Sequence, residues 1–330
     1  MAQHTRVLVT GAGGPAGVAV IRALLTEPGV EVHAADIDPY GAGLYLVGDG
    51  QRWLVPPGAA PEFVPQLRQL CRAQRFDVVV PTVDAELLPL ARARATFAED
   101  GTIVAVTSEQ ALATVLDKYR LAQACAGRVH APRTALLDDD LDPASWTFPV
   151  IVKPRQGSGS RGFAVVESPR ALAALGPDDS MIVQEHLPGD EYSVDVLADL
   201  DGRMVAVVPR ERLRVDSGVS VAGRTLHDPE LEKLARQVAE VVGLTLVANV
   251  QCRRDRHGRA ALLEVNPRFP GALPLTIHSG VNMPRLCLAA VLGQPLPESV
   301  PHRDVLMVRF LEERFPEPAQ LARPLVQIGR

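Results

Sequence analysis

The chain has 330 residues, 47% of them hydrophobic and 22% charged, an ordinary globular composition with room for two or three packed lobes. Its net charge of −5 argues against general nucleic-acid binding, which needs a basic surface. No apolar run approaches the ~18 residues of a membrane-spanning helix, so no membrane association is expected. The start, "MAQHTRVLVTGAGG", lacks a charged region followed by an apolar core and a small-residue cleavage site, and no signal peptide is expected. Cys71, Cys125, Cys252 and Cys287 show no C-x-x-C spacing, which suits buried thiols in a reducing, cytoplasmic setting.

In chain order, "RVLVTGAGGPAGVAVIRALL" reads as a buried strand, a glycine turn and a helix. The strand "VEVHAADID" follows, then the strand-to-helix unit "FDVVVPTVDAELLPLARARA". "TIVAVTS" is another strand and "EQALATVLDKYRLAQAC" another helix. Alternating strands and helices predict an α/β, Rossmann-like parallel-sheet lobe over residues 1–108. "DDDLDPASW" is an acidic, proline-bearing connector. Beyond it, strands joined by short Gly/Asp turns predict antiparallel, α+β architecture. "DPELEKLARQVAEVVG" is an amphipathic helix with Leu231, Leu234, Val238 and Val241 or Val242 on one face. The tail, residues 301–330, holds the strand "VLMVRFLEERF", whose apolar start is a candidate for pairing across a homodimer.

The stretch "ALLEVNPRFPG" carries Glu264, Asn266 and Arg268 at every second place of an apolar strand, so the three share a face. With a two-residue turn at His257 and Gly258, the preceding strand "VANVQC" sets Gln251 opposite Glu264 and Asn249 opposite Asn266. An odd turn or a bulge would spoil that register. Carboxylate and amide oxygens so gathered suit a hard cation such as Mg²⁺, which is commonly held with substrate phosphates. Arg268 suits a phosphate or acyl-phosphate oxygen. On spacing alone, a solvated strand face is an equal reading.

Three further segments suit anions. "VKPRQGSGSRGF" places Lys153 at the end of a strand and follows it with Gly157, Ser158, Gly159, Ser160 and Gly162, where backbone N–H groups can approach a phosphate. It is not a P-loop, and a plain hairpin turn is the bland alternative. "VQEHLPGDEYSVDV" offers Glu185 at a strand end and Glu191 six residues on, placed for adenine and ribose. "PRERLRVDSGVS" alternates Arg210, Arg212 and Arg214, which repel one another unless an anion neutralises them.

Together these motifs resemble the ATP-grasp superfamily, specifically its carbamoyl-phosphate-synthetase large-subunit-like branch, over nearly the whole chain. The resemblance implies a Rossmann-like lobe (1–108), a small lobe bearing the glycine loop (109–185), a large lobe with the metal site (186–300) and a tail (301–330). It implies ATP and Mg²⁺ (or Mn²⁺) as cofactors. Lys118 of "DKYR" and Lys153 would contact phosphates, with Gly157 to Gly162 closing over them. Glu185 and the backbone of His186 and Leu187 would hold adenine, and Glu191 the ribose. Gln251, Glu264 and Asn266 would bind metal. Many relatives carry an acid where Gln251 stands, although carbamoyl-phosphate synthetase also has Gln there. Arg268, with Arg210, Arg212 or Arg214, would stabilise the reacting acyl phosphate or bind substrate.

The implied reaction joins a small carboxylate to an amine, with amino acids as the expected partners, through an acyl phosphate. Positioning and charge dominate such chemistry, and no nucleophile is required of the protein. Two Mg²⁺ ions about 4 Å apart, bridged by Glu264, are expected. Weaker substrate candidates are Asp84 and Glu86 past a strand end, and Ser279 and Gly280 through N–H groups at a helix start. Two rivals remain. A bicarbonate-using carboxylase shares the first half-reaction. An NAD(P)-dependent oxidoreductase fits "TGAGGPAG" with Asp36 on the ribose, but no Tyr-x-x-x-Lys dyad accompanies Tyr40, Tyr45, Tyr119 or Tyr192.

Overall fold

The computed structural model describes residues 4–157, 162–216, 218–317 and 320–321. The chain begins with β1 (Thr5–Thr10), α1 (Pro15–Leu24), β2 (Val30–Asp36), β3 (Arg52–Leu54), α2 (Phe63–Gln74), β4 (Val78–Pro81), α3 (Asp84–Arg92), α4 (Arg94–Glu99) and β5 (Ile103–Val104). These strands form a parallel sheet in the order β3-β2-β1-β4-β5. The order reverses at β1/β4, where open sheets of this kind present a crevice. Pro15 opens α1, where its fixed φ suits a first helical turn.

Residues read as one helix divide into α5 (Glu109–Val115) and α6 (Lys118–Cys125). The break is at Asp117, whose carboxylate accepts from the N–H groups of Tyr119 and Arg120 and starts a new helix. Val115, Leu121 and Cys125 are buried in one cluster with the large-lobe sheet and its helix, so these helices pack outside the small lobe's own core. The small lobe contains β6 (Thr134–Leu137), β7 (Val150–Pro154), β8 (Ala164–Val166), α7 (Pro169–Ala173) and β9 (Asp178–Glu185). Its strands lie in the order β6-β9-β7-β8.

The remainder comprises β10 (Glu191–Ala198), β11 (Met204–Asp216), β12 (Val219–Thr225), α8 (Pro229–Val242), β13 (Leu246–Arg254), β14 (Ala260–Asn266), α9 (Leu273–His278), α10 (Met283–Val291) and β15 (Leu306–Val308). The strands build an antiparallel sheet, β14-β13-β10-β11-β12-β15. One face buries Val194, Val196, Val207, Ala248 and Val250 under α8. The other face joins Leu197, Val208 and Val247 to α1, α9 and α10 in a core shared with the first lobe. That shared core sets the C-terminal ends of the parallel strands beside the large sheet. The tail strand β15 pairs with β12 of its own chain, at Ala222↔Val308 and Arg224↔Leu306.

Candidate active site

The site is the open continuation of the shared-core face of the large sheet. Apolar Leu197 and Val247 give way to Asp195 and Asn249, then to Gln251 and Arg212. Asp195 is wholly buried and holds Arg210 side-on, with Arg210 Nε to Oδ2 at 2.8 Å and Nη2 to Oδ1 at 2.6 Å. Asn249 Nδ2 donates to Asp195 Oδ1 at 2.6 Å, and Thr276 Oγ1 donates to Oδ2. Arg210 is therefore not brought to the open site: its charge is neutralised in the core.

The β13–β14 register is as expected at the site, with Asn249↔Asn266 and Gln251↔Glu264. It arises differently. The hairpin closes at Arg254↔Ala260 and Gly258 takes φ +78°, so the turn is odd. A register shift between Gln251 and Cys252 restores the pairing. The turn and the bulge, each ruinous alone, cancel.

Gln251, Glu264 and Asn266 converge. With the Gln251 amide oriented as its neighbours' donors and acceptors require, it donates to Glu264 Oε1 at 3.1 Å and accepts from Arg212 Nη1 and Asn266 Nδ2, each at 3.2 Å. Among the described residues no three His, Cys, Asp or Glu side chains form a closed metal cage. One carboxylate with neighbouring amide oxygens fits Mg²⁺, which completes its octahedron with water and phosphate oxygens. Arg212 Nη1 also pairs with Glu191 at 2.9 Å, and its Nη2 donates to Gly218 O at 2.9 Å. Arg212 Nε is buried without a partner among the described residues. Arg214 is exposed, further along β11.

Two lysines face this strand from the small-lobe side. Lys118, the first residue of α6, donates to Gly157 O at 2.8 Å and lies 4.0 Å from Glu264 Oε2. Burial pushes the Lys153 ammonium down to about 8, with Glu264 and Glu191 favouring its charge and Lys118 opposing it. Asp117 fixes this corner: Arg155 Nη2 donates to it at 2.7 Å, and the Lys118 N–H donates to Arg155 O at 2.9 Å. Sequence reasoning missed Asp117, though an Asp just before a helical pattern is a capping signal. Gly157 and Gly162 take φ of +105° and +72°, the left-handed region where glycine is unstrained. Ser158, Gly159 and Ser160 lie outside the described residues. Glu185 ends β9, with its backbone N–H on Arg133 O at 2.9 Å, and His186 and the buried Leu187 lead into β10.

The first lobe contributes Asp84, whose two carboxylate oxygens take Arg268 Nε at 2.7 Å and Nη2 at 2.9 Å. Glu86 is buried and accepts from Thr10 Oγ1 at 2.6 Å. Burial raises its carboxyl to about 7, against that hydrogen bond and with help from Asp36. Ser279 and Gly280 do not open a helix. They follow the end of α9, and their N–H groups donate to Leu275 O at 3.0 Å and Ile277 O at 3.1 Å, which leaves neither free for substrate. The tail adds a residue that no pattern announced: the Arg309 guanidinium donates to Gly271 O. Burial and the nearby Arg210 lower its pKa.

The remaining alternatives narrow on the same geometry. Asp36 accepts from the Gly13 N–H at 2.6 Å and the Asp38 N–H at 3.0 Å, so its carboxylate is engaged inside the glycine turn and not offered to a ribose. A Cβ on Gly13 would meet Gly41 Cα at 2.8 Å, so the backbone at Gly41 packs directly on the glycine turn. All four cysteines are buried, and burial drives the thiols up, Cys125 to about 11 and Cys71 and Cys287 to about 12, which rules them poor nucleophiles.

The architecture is a parallel-sheet lobe followed by two antiparallel sheets around a Lys/Glu/Asn/Arg cleft. Residues 178–314 match the family of ATP-grasp proteins in the biosynthetic pathway with Ter operon, and residues 7–105 match the PylC-like N-terminal domain. The chain thus carries a PylC-like N-terminal domain and an ATP-grasp domain. It is 31% identical over 175 residues to D-alanine–D-alanine ligase of Ectopseudomonas mendocina, covering 47% of this chain and 53% of the ligase. The chain spans about half the length of that relative. Its fold matches the biotin carboxylase–β,γ-ATP complex from Campylobacter jejuni, with TM-score 0.73 and 17% identity over 90% of this chain and 73% of the other. It also matches N5-carboxyaminoimidazole synthetase from Staphylococcus aureus complexed with ADP, with TM-score 0.73 and 15% identity over 94% and 83% of the two chains.

Proposed function

We propose that the chain is an ATP-dependent carboxylate–amine ligase acting on small substrates, amino acids among them, and forming an amide or peptide bond. The observation that carries this reading is the gathering of Arg212, Gln251, Glu264 and Asn266 on one face of the large sheet, with Lys118 and Lys153 facing it from α6 and β7 and Arg268 at its rim. The relative that makes D-alanyl-D-alanine and the ADP-bound fold neighbour support it. When bound, Mg–ATP would supply the phosphoryl group: the substrate carboxylate takes it to give an acyl phosphate and ADP, and the amine nitrogen then displaces phosphate at the acyl carbon. Glu264 and Asn266 would hold the metal. Lys118 and Lys153 would neutralise the phosphates, and the Gly157 to Gly162 turn would lie over them. Glu185, His186, Leu187 and Glu191 would seat the nucleoside end. Arg212, with its unpartnered Nε, and Arg268 would stabilise charge on the transferring group. On this reading the lobes divide at 108, 185 and 300, with the tail beyond.

The test is an ADP-release screen of amino acids, singly and in pairs, with mass spectrometry of products. Pair-dependent release with a condensed product is expected, and Glu264→Gln and Lys153→Ala should each abolish it. Wild-type turnover in both variants would sink the assignment. Release that depends on bicarbonate and not on an amine would place the chain among carboxylating enzymes.

A further inference from the structure

We propose that Asp84 is a positioning residue for Arg268, fixing the guanidinium across the boundary between the N-terminal lobe and the ATP-grasp lobe. The inference rests on the ligase reading for its chemistry and on the contact itself for its geometry. Asp84 is the first residue of α3, and its carboxylate makes no cap on that helix. Instead it reaches a guanidinium 184 positions away and takes it side-on, with both Nε and Nη2 engaged. Two parallel N–H···O bonds fix the plane of an arginine as well as its position, which a single contact does not. The opposite side is restrained by the chain that carries the residue. Nη1 donates to Phe269 O at 3.2 Å and Nη2 approaches Asn266 Oδ1 at 3.5 Å. These contacts leave part of the Nη1 edge free, beside the metal strand.

The neighbouring acids have other partners. Glu86 is held by Thr10 in the crevice behind, and Asp36 is held by the glycine turn. Among the described residues Asp84 pairs with no other cation and Arg268 with no other acid. Asp84 therefore does not stand free for a substrate ammonium. Its charge is matched by the arginine that would meet the acyl phosphate. Both side chains are only about one-fifth exposed, so water competes weakly for the pair. A consequence is that the first lobe takes part in the chemistry without touching substrate: moving α3 moves Arg268.

The experiment uses the full chain with Asp84→Asn, Asp84→Glu, Arg268→Ala and the double variant. Activity is read as Mg–ATP-dependent ADP release with an amino-acid panel and hydroxylamine as the general amine. Asp84→Asn should lower kcat ten- to a hundredfold while the KM for hydroxylamine and the Kd for Mg–ADP stay within twofold. Asp84→Glu should recover part of kcat, and the double variant should be no slower than Arg268→Ala. A rise in the amine KM at unchanged kcat, or multiplicative losses in the double variant, would overturn the proposal. A wild type that releases no ADP with any substrate counts against the ligase reading alone. The contact is then judged by NMR of the Arg268 Nε–H and by Tm. A distinct wild-type signal lost in Asp84→Asn, with non-additive Tm shifts, upholds it. An unchanged signal with additive shifts refutes it.

Discussion

The chain has two glycine-bearing turns that leave an apolar strand, and it uses them in opposite ways. After β1, the turn is filled by the protein. The Gly13 N–H meets Asp36, the Ala12 N–H meets Ala35 O at 3.0 Å, and the Gly14 N–H meets Gly11 O at 3.3 Å. A Cβ on Gly17 would stand 2.3 Å from Gly11 O, so the glycines there serve close backbone packing. After β7, a Cβ on Gly157 would meet nothing within 4 Å among the described residues, and the Gly157 carbonyl rests on Lys118, a side chain that also faces Glu264. A glycine-rich turn becomes a candidate anion site only where its surroundings supply positive charge and leave room. The first turn has an aspartate at its centre, and the second has two lysines at its base.

The sharpest way to break this contrast is Lys153→Met. Mg–ATP affinity should fall at least a hundredfold, about 3 kcal/mol, by calorimetry. Tm at pH 7 should nevertheless rise or hold. The ammonium titrates at about 8 in the folded chain, below the 10.5 of a free lysine, so its charged form opposes folding at neutral pH and the penalty fades as pH climbs from 8 towards 10.5. A fall in Tm with unchanged affinity would reverse the roles given to the two turns.

Next in size, Gly17→Ala should cost roughly 2 kcal/mol in urea unfolding, because backbone must shift to admit the methyl. Mg–ATP affinity at low temperature should be retained. A stable variant with impaired nucleotide binding would mean that the first turn, not the second, handles phosphate.

A smaller effect sharpens the second turn. Nucleotide phosphates favour the charged Lys153, so binding should take up a proton near pH 8, seen as a buffer-dependent heat. Affinity should be flat below about 8 and fall up to tenfold per pH unit above it. Flat affinity to pH 10 would separate Lys153 from the phosphates.

The smallest expected change is in Asp36→Asn, at about 1–2 kcal/mol of stability, since a neutral amide replaces a charge-assisted acceptor on Gly13. NADH fluorescence should show no binding to either form. Saturable binding to the wild type would reopen the crevice as a cofactor site.

Much of this was legible in the residues. Strand–helix alternation gave the parallel lobe, and two-residue alternation put Gln251, Glu264 and Asn266 on one face, because both depend on local periodicity. Arg210, Arg212 and Arg214 looked equivalent for the same reason, and the structure separates them. Asp195 claims Arg210 in the core, Glu191 and Gln251 hold Arg212 at the cleft, and Arg214 stays at the surface. Ser279 and Gly280 looked like a helix start because a helix does follow, but one also precedes them, and its carbonyls take their N–H groups.

The sequence by itself determined which residues face together along each element, Gln251, Glu264 and Asn266 among them. The tertiary structure alone decided which partner each charge meets: Asp84 on Arg268, Asp195 on Arg210, Asp36 on Gly13. It also decided the β13–β14 register, where an odd turn and a bulge offset one another. The physical reason is range. Backbone geometry repeats every two or 3.6 residues and leaves a periodic trace, whereas an ion pair between distant segments is fixed by how the lobes pack and leaves none.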